Sequence, residues 1–140
     1  MPTKREQVLA ALAARLGAID GPSVRRNEGL PARIPDGGLI IVHDGDPGEP
    51  EVTLNPRSEY YSHRIPVEVI LTGDRSTLDD LLIAIGLALV GDDTLGGLVE
   101  RLVIPSPDVG VTPVEGAATL RHATVSVLVE YLVSGILDEA

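Results

Sequence analysis

The sequence predicts an α+β fold: one mainly antiparallel sheet of four to five strands, with two helices packed on one face. Three observations carry this. Over residues 60–71, Tyr61, Ile65, Val67, Val69 and Leu71 fall on one side of a strand, and Ser62, Arg64 and Glu68 on the other. A second alternation over 123–133 sets Val125, Val127, Val129, Tyr131 and Val133 on one face. Between them, residues 78–90 hold Leu81, Leu82, Ile83, Ile85, Leu87 and Leu89, with no charge after Asp80. The order is helix, strands, helix, strands, and the strict β-α-β alternation that marks a parallel sheet is absent.

The first helix spans 4–16. Thr3 and Glu6 form a capping box, Val8, Leu9, Leu12 and Leu16 recur at helical spacing, and Gly17 fits the stop. Arg5, Glu6 and Arg15 are left to face water. Residues 19–36 are rich in Gly, Pro and charge, with Val24-Arg25-Arg26 as a short strand. Residues 39–43 form a compact β-branched strand, 44–50 an acidic turn-rich loop, and 51–54 a return strand or extended loop. Pro66 cannot donate to a ladder, so it marks the long strand as an edge or a bulge site. Residues 72–75 make a turn, and Ser76 offers the N-cap of the second helix. Residues 98–104 form a strand, and 105–118 an irregular excursion of functional length.

At 140 residues, one domain over 1–140 is expected. The core is short of aromatic bulk: there is no Phe or Trp and only three Tyr, which favours flat helix-on-sheet packing over a deep ligand pocket. The net charge of −10 disfavours sequence-independent grip on nucleic acid, which runs on Lys and Arg. With no Cys, thiol chemistry and zinc-thiolate sites are excluded. No charged-then-apolar leader opens the chain, and the apolar helix is short of the roughly 20 residues a bilayer needs, so a soluble protein folding in the cytoplasm is expected, with no membrane partner.

The chemistry-bearing motifs are weak. Asp44 and Asp46 open like a calcium loop, but no Gly follows at the sixth position, and Asn55 stands where the closing Glu belongs. The loop therefore reads as a solvated hairpin tip, and no metal or cofactor is implied. His43, His63 and His122 have no zinc-like spacing; His63 sits on the apolar face of its strand, as a hydrogen-bonded core or interface histidine would. A triad assembled in space stays open, but no Gly-x-Ser-x-Gly elbow and no phosphate-binding glycine loop is present. Arg25, Arg26 and Arg33 form the one basic cluster. It fits a solvated loop, or contact with nucleic acid or an acidic patch on another subunit. Tyr60 points away from the core, either as an interface anchor or as a lone exposed tyrosine.

The 78–90 helix leaves the sharpest expectation. A surface helix keeps a polar stripe, and this one keeps none. Ile83, Leu87 and Val90, with Tyr60 and Arg64 on the long strand, are candidates for a surface covered by another subunit.

Several blocks together resemble the tail-terminator (tail-completion, minor tail protein U-like) family of long-tailed phages, prophages and gene-transfer agents. They are Gln7-Val8-Leu9-Ala10-Ala11-Leu12, Val24-Arg25-Arg26-Asn27, Pro35-Asp36-Gly37-Gly38-Leu39-Ile40, Tyr61-Ser62-His63-Arg64-Ile65-Pro66-Val67-Glu68-Val69, Leu78-Asp79-Asp80-Leu81-Leu82 continuing to Ala84-Ile85-Gly86, Asp93-Thr94-Leu95-Gly96-Gly97-Leu98 and Val114-Glu115-Gly116-Ala117. The match lies in the order and character of the blocks over nearly the whole chain. The resemblance implies a mixed sheet with two helices. It also implies a virion protein without catalysis, in a ring that is usually hexameric, capping the head-proximal end of a tail tube. Its implied partners are further copies of itself, the tube protein and the head–tail connector, and DNA passes through the lumen without specific binding. Assembly in the bacterial host cytoplasm follows. Asp44, Asp46, Glu49, Pro107 and Asp108, on two long loops, are candidates for axial contacts. A head–tail stopper or adaptor is the alternative, and a small hydrolase or transferase using His63 or His122 a more distant one. Some relatives are labelled acyl-CoA transferases; no residues here support that chemistry.

Overall fold

Two long strands organise the molecule. The computed structural model describes residues 2–28, 34–35, 37–54, 57–72, 75–112 and 120–133. Its elements are α1 (Lys4–Gly17), β1 (Ser23–Arg26), β2 (Leu39–Val42), β3 (Glu51–Leu54), β4 (Arg57–Thr72), α2 (Arg75–Val90), β5 (Arg101–Val103), β6 (Asp108–Thr112) and β7 (Leu120–Val133). β4 and β7 run antiparallel in unbroken register, from Glu59 opposite Val133 to Thr72 opposite Leu120. The remaining strands flank this pair. β1, β2 and β3 lie on the β4 side, and β5 and β6 on the β7 side.

The fold is thus mixed α+β with two helices and a mostly antiparallel sheet of seven strands, against the four to five expected. Residues 51–54, expected as a return strand or an extended loop, form the strand β3, and two further differences concern β1 and β6. β1 pairs parallel with β2, Ser23 opposite Leu39. Residues 108–112, expected as irregular chain, form β6 against β7, with Gly110 opposite His122. A Cβ on Gly110 would stand 2.4 Å from the His122 ring, so the missing side chain makes room for the imidazole. The strand expected over 98–104 is shorter, at Arg101–Val103. α2 starts at Arg75, which puts Ser76 inside its first turn rather than at the cap.

Each flank of the central pair is a broken strand. Between Val42 opposite Val67 and Asp46 opposite Arg64, four steps on one chain face three on the other. The extra residue is a bulge at Asp44-Gly45, with Gly45 at φ 66°. On the other flank, five steps from Val103 to Asp108 face four from Leu128 to Thr124. Pro105 and Pro107 occupy that gap.

The bulge explains Pro66, which lies in an interior strand and not at an edge. Its carbonyl accepts from the His43 N–H at 3.0 Å. In an antiparallel ladder, the N and O of one residue point to the same neighbour. The Pro66 nitrogen therefore faces the place where β2 leaves the sheet, and no β4–β7 bond is lost.

Both helices contribute to one core on one sheet face. Val8, Leu9, Leu12 and Leu16 of α1 are fully buried, as are Leu78, Ile85 and Leu89 of α2 to within 1%; they pack with Ile65, Val67, Val69, Val125, Val127 and Val129. Each such side chain contributes about 2 kcal/mol relative to exposure. Thr3 caps α1 by accepting from the Glu6 N–H at 3.2 Å. The helices are also tied end to end: Arg15 Nε donates to the Ala88 carbonyl at 2.6 Å, satisfying an open acceptor in the last turn of α2. Arg15, expected to face water, is thus a cap for the other helix. On the opposite sheet face, Leu39, Ile41 and Ile70 form a small second cluster under Ile34 and Leu120.

Gly45 tests the bulge. A Cβ there would meet the Arg64 carbonyl oxygen at 2.0 Å, whereas one on Gly48, also at positive φ, would meet nothing within 4 Å. Gly48→Ala should cost about 1 kcal/mol for left-handed backbone alone. Gly45→Ala should cost roughly 3 kcal/mol or more, since strain and clash combine. Urea midpoints of the two variants check this, and equal losses would contradict it.

Candidate functional site

The sequence candidates fall into three places. The first is the knot around the bulge. Arg26, on β1, donates through Nη1 and Nη2 to the two Glu6 carboxylate oxygens at 2.6 and 2.9 Å, and through Nη2 to Asp44 at 3.2 Å. Arg5 reaches the other Asp44 oxygen at 3.3 Å. Asn27, held at φ 53°, donates to Asp44 through its amide at 2.7 Å and accepts from the Asp44 N–H at 2.8 Å. The Arg26 bond holds the Glu6 carboxyl below its usual range, and the Asn27 bond does the same for Asp44. The knot joins α1, β1 and the bulge. Arg26, a member of the basic cluster, is therefore neutralised, Arg25 pairs with Glu28 at 3.4 Å, and Arg33 lies outside the described residues. Glu6 and Arg5, expected to face water, belong to the same knot.

His63 sits beneath the bulge, fully buried. Its Nε2 lies 2.6 Å from the Asp44 backbone carbonyl and its Nδ1 3.0 Å from the Tyr131 hydroxyl. A carbonyl only accepts, so Nε2 carries the proton, and the Tyr131 O–H donates to Nδ1. The ring is neutral, with both nitrogens used. Burial lowers the His63 pKa and pushes that of Tyr131 up to about 12. No serine and no carboxylate side chain bonds to this imidazole among the described residues. The geometry is that of a structural clamp joining β4, β7 and the bulge. His43 lies 3.3 Å from a Glu68 oxygen on the other sheet face, and His122 is the ring above Gly110. No group of three or more His, Cys, Asp or Glu able to hold a metal ion is found among the described residues.

The second place is the outer sheet face. The Tyr60 hydroxyl donates to Glu130 at 2.8 Å, and Arg101 bridges to the same carboxylate, linking β4, β7 and β5. The Arg101 bond, with help from Tyr60, lowers the Glu130 pKa. Tyr60 is half-buried and Arg64 exposed on this face. The Arg64 backbone exchanges two hydrogen bonds with Asp46 at 3.2 Å each, and the Asp46 carboxylate accepts from the Gly48 N–H at 2.8 Å. Asp44 and Asp46 thus anchor the base of their loop. Glu49 stays exposed on it, and Pro107 and Asp108 are exposed where β6 begins.

The third place is the outward side of α2. Ile83, Leu87 and Val90 are 60, 70 and 71% exposed. Their spacing of four and three residues sets them in one stripe along the helix. At its C-terminal end, Val90 and Asp93 line a shallow groove of about 290 Å³ with Leu102, Val103 and Ile104 of the β5 edge. The stripe therefore runs on into the sheet edge. A second groove, of about 340 Å³, lies between Ala14 and Arg15 of α1 and the Asp92–Gly96 turn. No helix among the described residues is long and apolar enough to cross a membrane.

No protein-family model matches this chain, and no curated protein matches it. Among solved structures, the chain is similar to one in the virion of a native gene transfer agent (GTA) particle. Identity is 20%, the TM-score is 0.46, and the match covers 95% of this chain and 92% of that one. A likeness at this level assigns no role.

Two consequences concern the knot and the clamp. The lowered His63 pKa means that, between the folded value and the unfolded value of about 6.5, the unfolded chain binds the extra proton. Stability is then full above about pH 6.5 and falls as pH drops toward the folded value, by at most about 1.4 kcal/mol per pH unit for one proton. Urea titrations from pH 7.5 to 5.5 should show this fall, and His63→Gln, though less stable throughout, should flatten it. An unchanged slope in the variant would contradict the assignment. Separately, Arg26→Met leaves Glu6 and Asp44 facing each other without their shared cation. It should cost about 2 kcal/mol at pH 7 in the same assay. A loss within experimental error would show that the knot does not stabilise the fold.

Proposed function

We propose that this chain is a structural virion protein, forming a ring that caps the head-proximal end of a phage-like tail tube. The ring, hexameric as the family resemblance implies, ends tube polymerisation and joins the tail to the head connector. The observation that carries this reading is the exposed aliphatic stripe of α2. Three large side chains in a row face solvent on a chain with no lack of charge for its other surfaces. Contiguous exposed apolar surface of this kind marks a protein contact.

A closed cyclic assembly suits such a surface. Head-to-tail lateral contacts use up the sides of every copy and leave two unlike ends, one for the tube and one for the connector. Six copies of a chain with charge −10 carry about −60 before screening. Charge of that sign on a bore repels phosphate, so DNA passes through without specific binding. The free part of the 44–50 loop around Glu49, and the Pro107-Asp108 corner, serve as axial contacts. The chain acts without catalysis or cofactor. In support, His63 has both nitrogens engaged by Tyr131 and a backbone carbonyl. The protein works in the particle after assembly in the bacterial host cytoplasm.

Electron microscopy of particles made without this protein tests the role. The expected result is tails of uncontrolled length, detached from heads. Normal-length tails joined to heads would refute it. The double variant Ile83→Lys/Leu87→Lys separates assembly from folding. Its thermal stability should stay within about 0.5 kcal/mol of the parent, because the stripe is already exposed, but it should fail to restore joined particles.

A further inference from the structure

The α2–β5 groove has a counterpart elsewhere on the same chain. Val52 and Leu54 of β3 are 49 and 80% exposed and, two residues apart, share a face. All four residues of β3 are exposed, and among the described residues β3 pairs with β4 alone, from Glu51 opposite Tyr60 to Leu54 opposite Arg57. An uncovered edge with two aliphatic side chains is an association site.

One copy cannot bring the two features together. β3 lies outside β4 and β5 outside β7, so three strand spacings, about 14 Å, separate these opposite edges. One charge on each feature is complementary to the other, while Glu59, across from Val52 on the same face, is held by the Tyr61 hydroxyl. Arg57 flanks Leu54 across the ladder, Asp93 lines the groove, and neither makes an ion pair or side-chain hydrogen bond among the described residues.

We infer that Val52 and Leu54 of one copy seat in the groove between α2 and β5 of the next, with Arg57 facing Asp93 across the contact. This rests on the ring reading and names the surfaces that meet in it. The contact is heterologous: edge meets groove, and each copy keeps one of each for its two neighbours. The apolar side chains supply the attraction, and the single ion pair sets which way round the copies meet.

The chain has no Cys, so engineered thiols report without background. Leu54→Cys and Val90→Cys proteins, mixed in equal amounts and treated with a short bis-maleimide, should cross-link. A chain carrying both substitutions should give a ladder of covalent oligomers. Leu54→Cys mixed with Ala14→Cys, on the exposed side of α1, sets the collisional background. If wild-type protein is oligomeric by light scattering while the Leu54/Val90 pair stays at background, the docking is wrong and the ring reading stands. Cross-linking of Val90→Cys with itself would mean that copies meet helix to helix, and overturns the docking. Wild-type protein that is monomeric at its highest soluble concentration, with no cross-link above background, overturns both.

Discussion

The β4–β7 ladder is the constraint on which everything else in this molecule depends. Its fourteen residue pairs place Tyr61, His63, Ile65, Val67, Val69 and Leu71 on the same face as Ala123, Val125, Val127, Val129, Tyr131 and Val133. That face is one apolar plane, and α1 and α2 have a single place to go. A one-residue slip would send every one of these side chains to the other side, so register and core specify each other. The shorter strands take their positions from this pair. They break where a bulge or a proline lets the chain depart, and the long strands continue through the breaks.

The same ladder sets what is tied down and what is left free. Tyr131 on β7 and His63 on β4 meet under the bulge, and the Asp44 carbonyl closes the contact. Above it, the Asp44 carboxylate draws in Arg5, Arg26 and Asn27. The acidic loop is therefore rigid at its base. At the other end of the core, Arg15 fixes the last turn of α2, and the Gly91 position, where a Cβ would meet Arg15 Nη2 at 2.7 Å, lets that guanidinium approach. α2 is held firmly by its inner side and its C-terminus, and so presents its outer stripe as a rigid surface. A preformed surface loses little entropy on association.

Much of this was legible in the residues. Period-two alternation marks β4 and β7 because both are buried mainly on one face, and the Thr3–Glu6 pair announces α1. The absence of a polar stripe in 78–90 pointed to the exposed Ile83, Leu87 and Val90. Less was legible where partners are distant in sequence. The parallel pairing of β1 with β2 depends on a connection whose path no local pattern encodes. β6 is not legible in the sequence because Gly110 interrupts a run of five residues and Pro107 and Pro113 flank it, a composition that favours a loop. The Arg26 knot was hidden for a different reason: Glu6, Arg26 and Asp44 are about twenty residues apart and meet only after the sheet forms. The signal was present in an Arg on a predicted strand, with acids on the elements before and after it. The β3 edge was equally hidden, because exposure of Val52 and Leu54 is decided by how far α1 and α2 extend over the sheet.

One copy of this protein thus folds with aliphatic surface to spare, and the proposed ring requires neighbouring copies to cover it. Hydroxyl-radical footprinting of the aliphatic side chains on α2, compared between protein diluted until it is monomeric and the assembled particle, measures that cover directly. The predicted result is strong protection of Ile83, Leu87 and Val90 on assembly, with the already buried Ile85 and Leu89 unchanged. Equal labelling of the three outer residues in both states would contradict it.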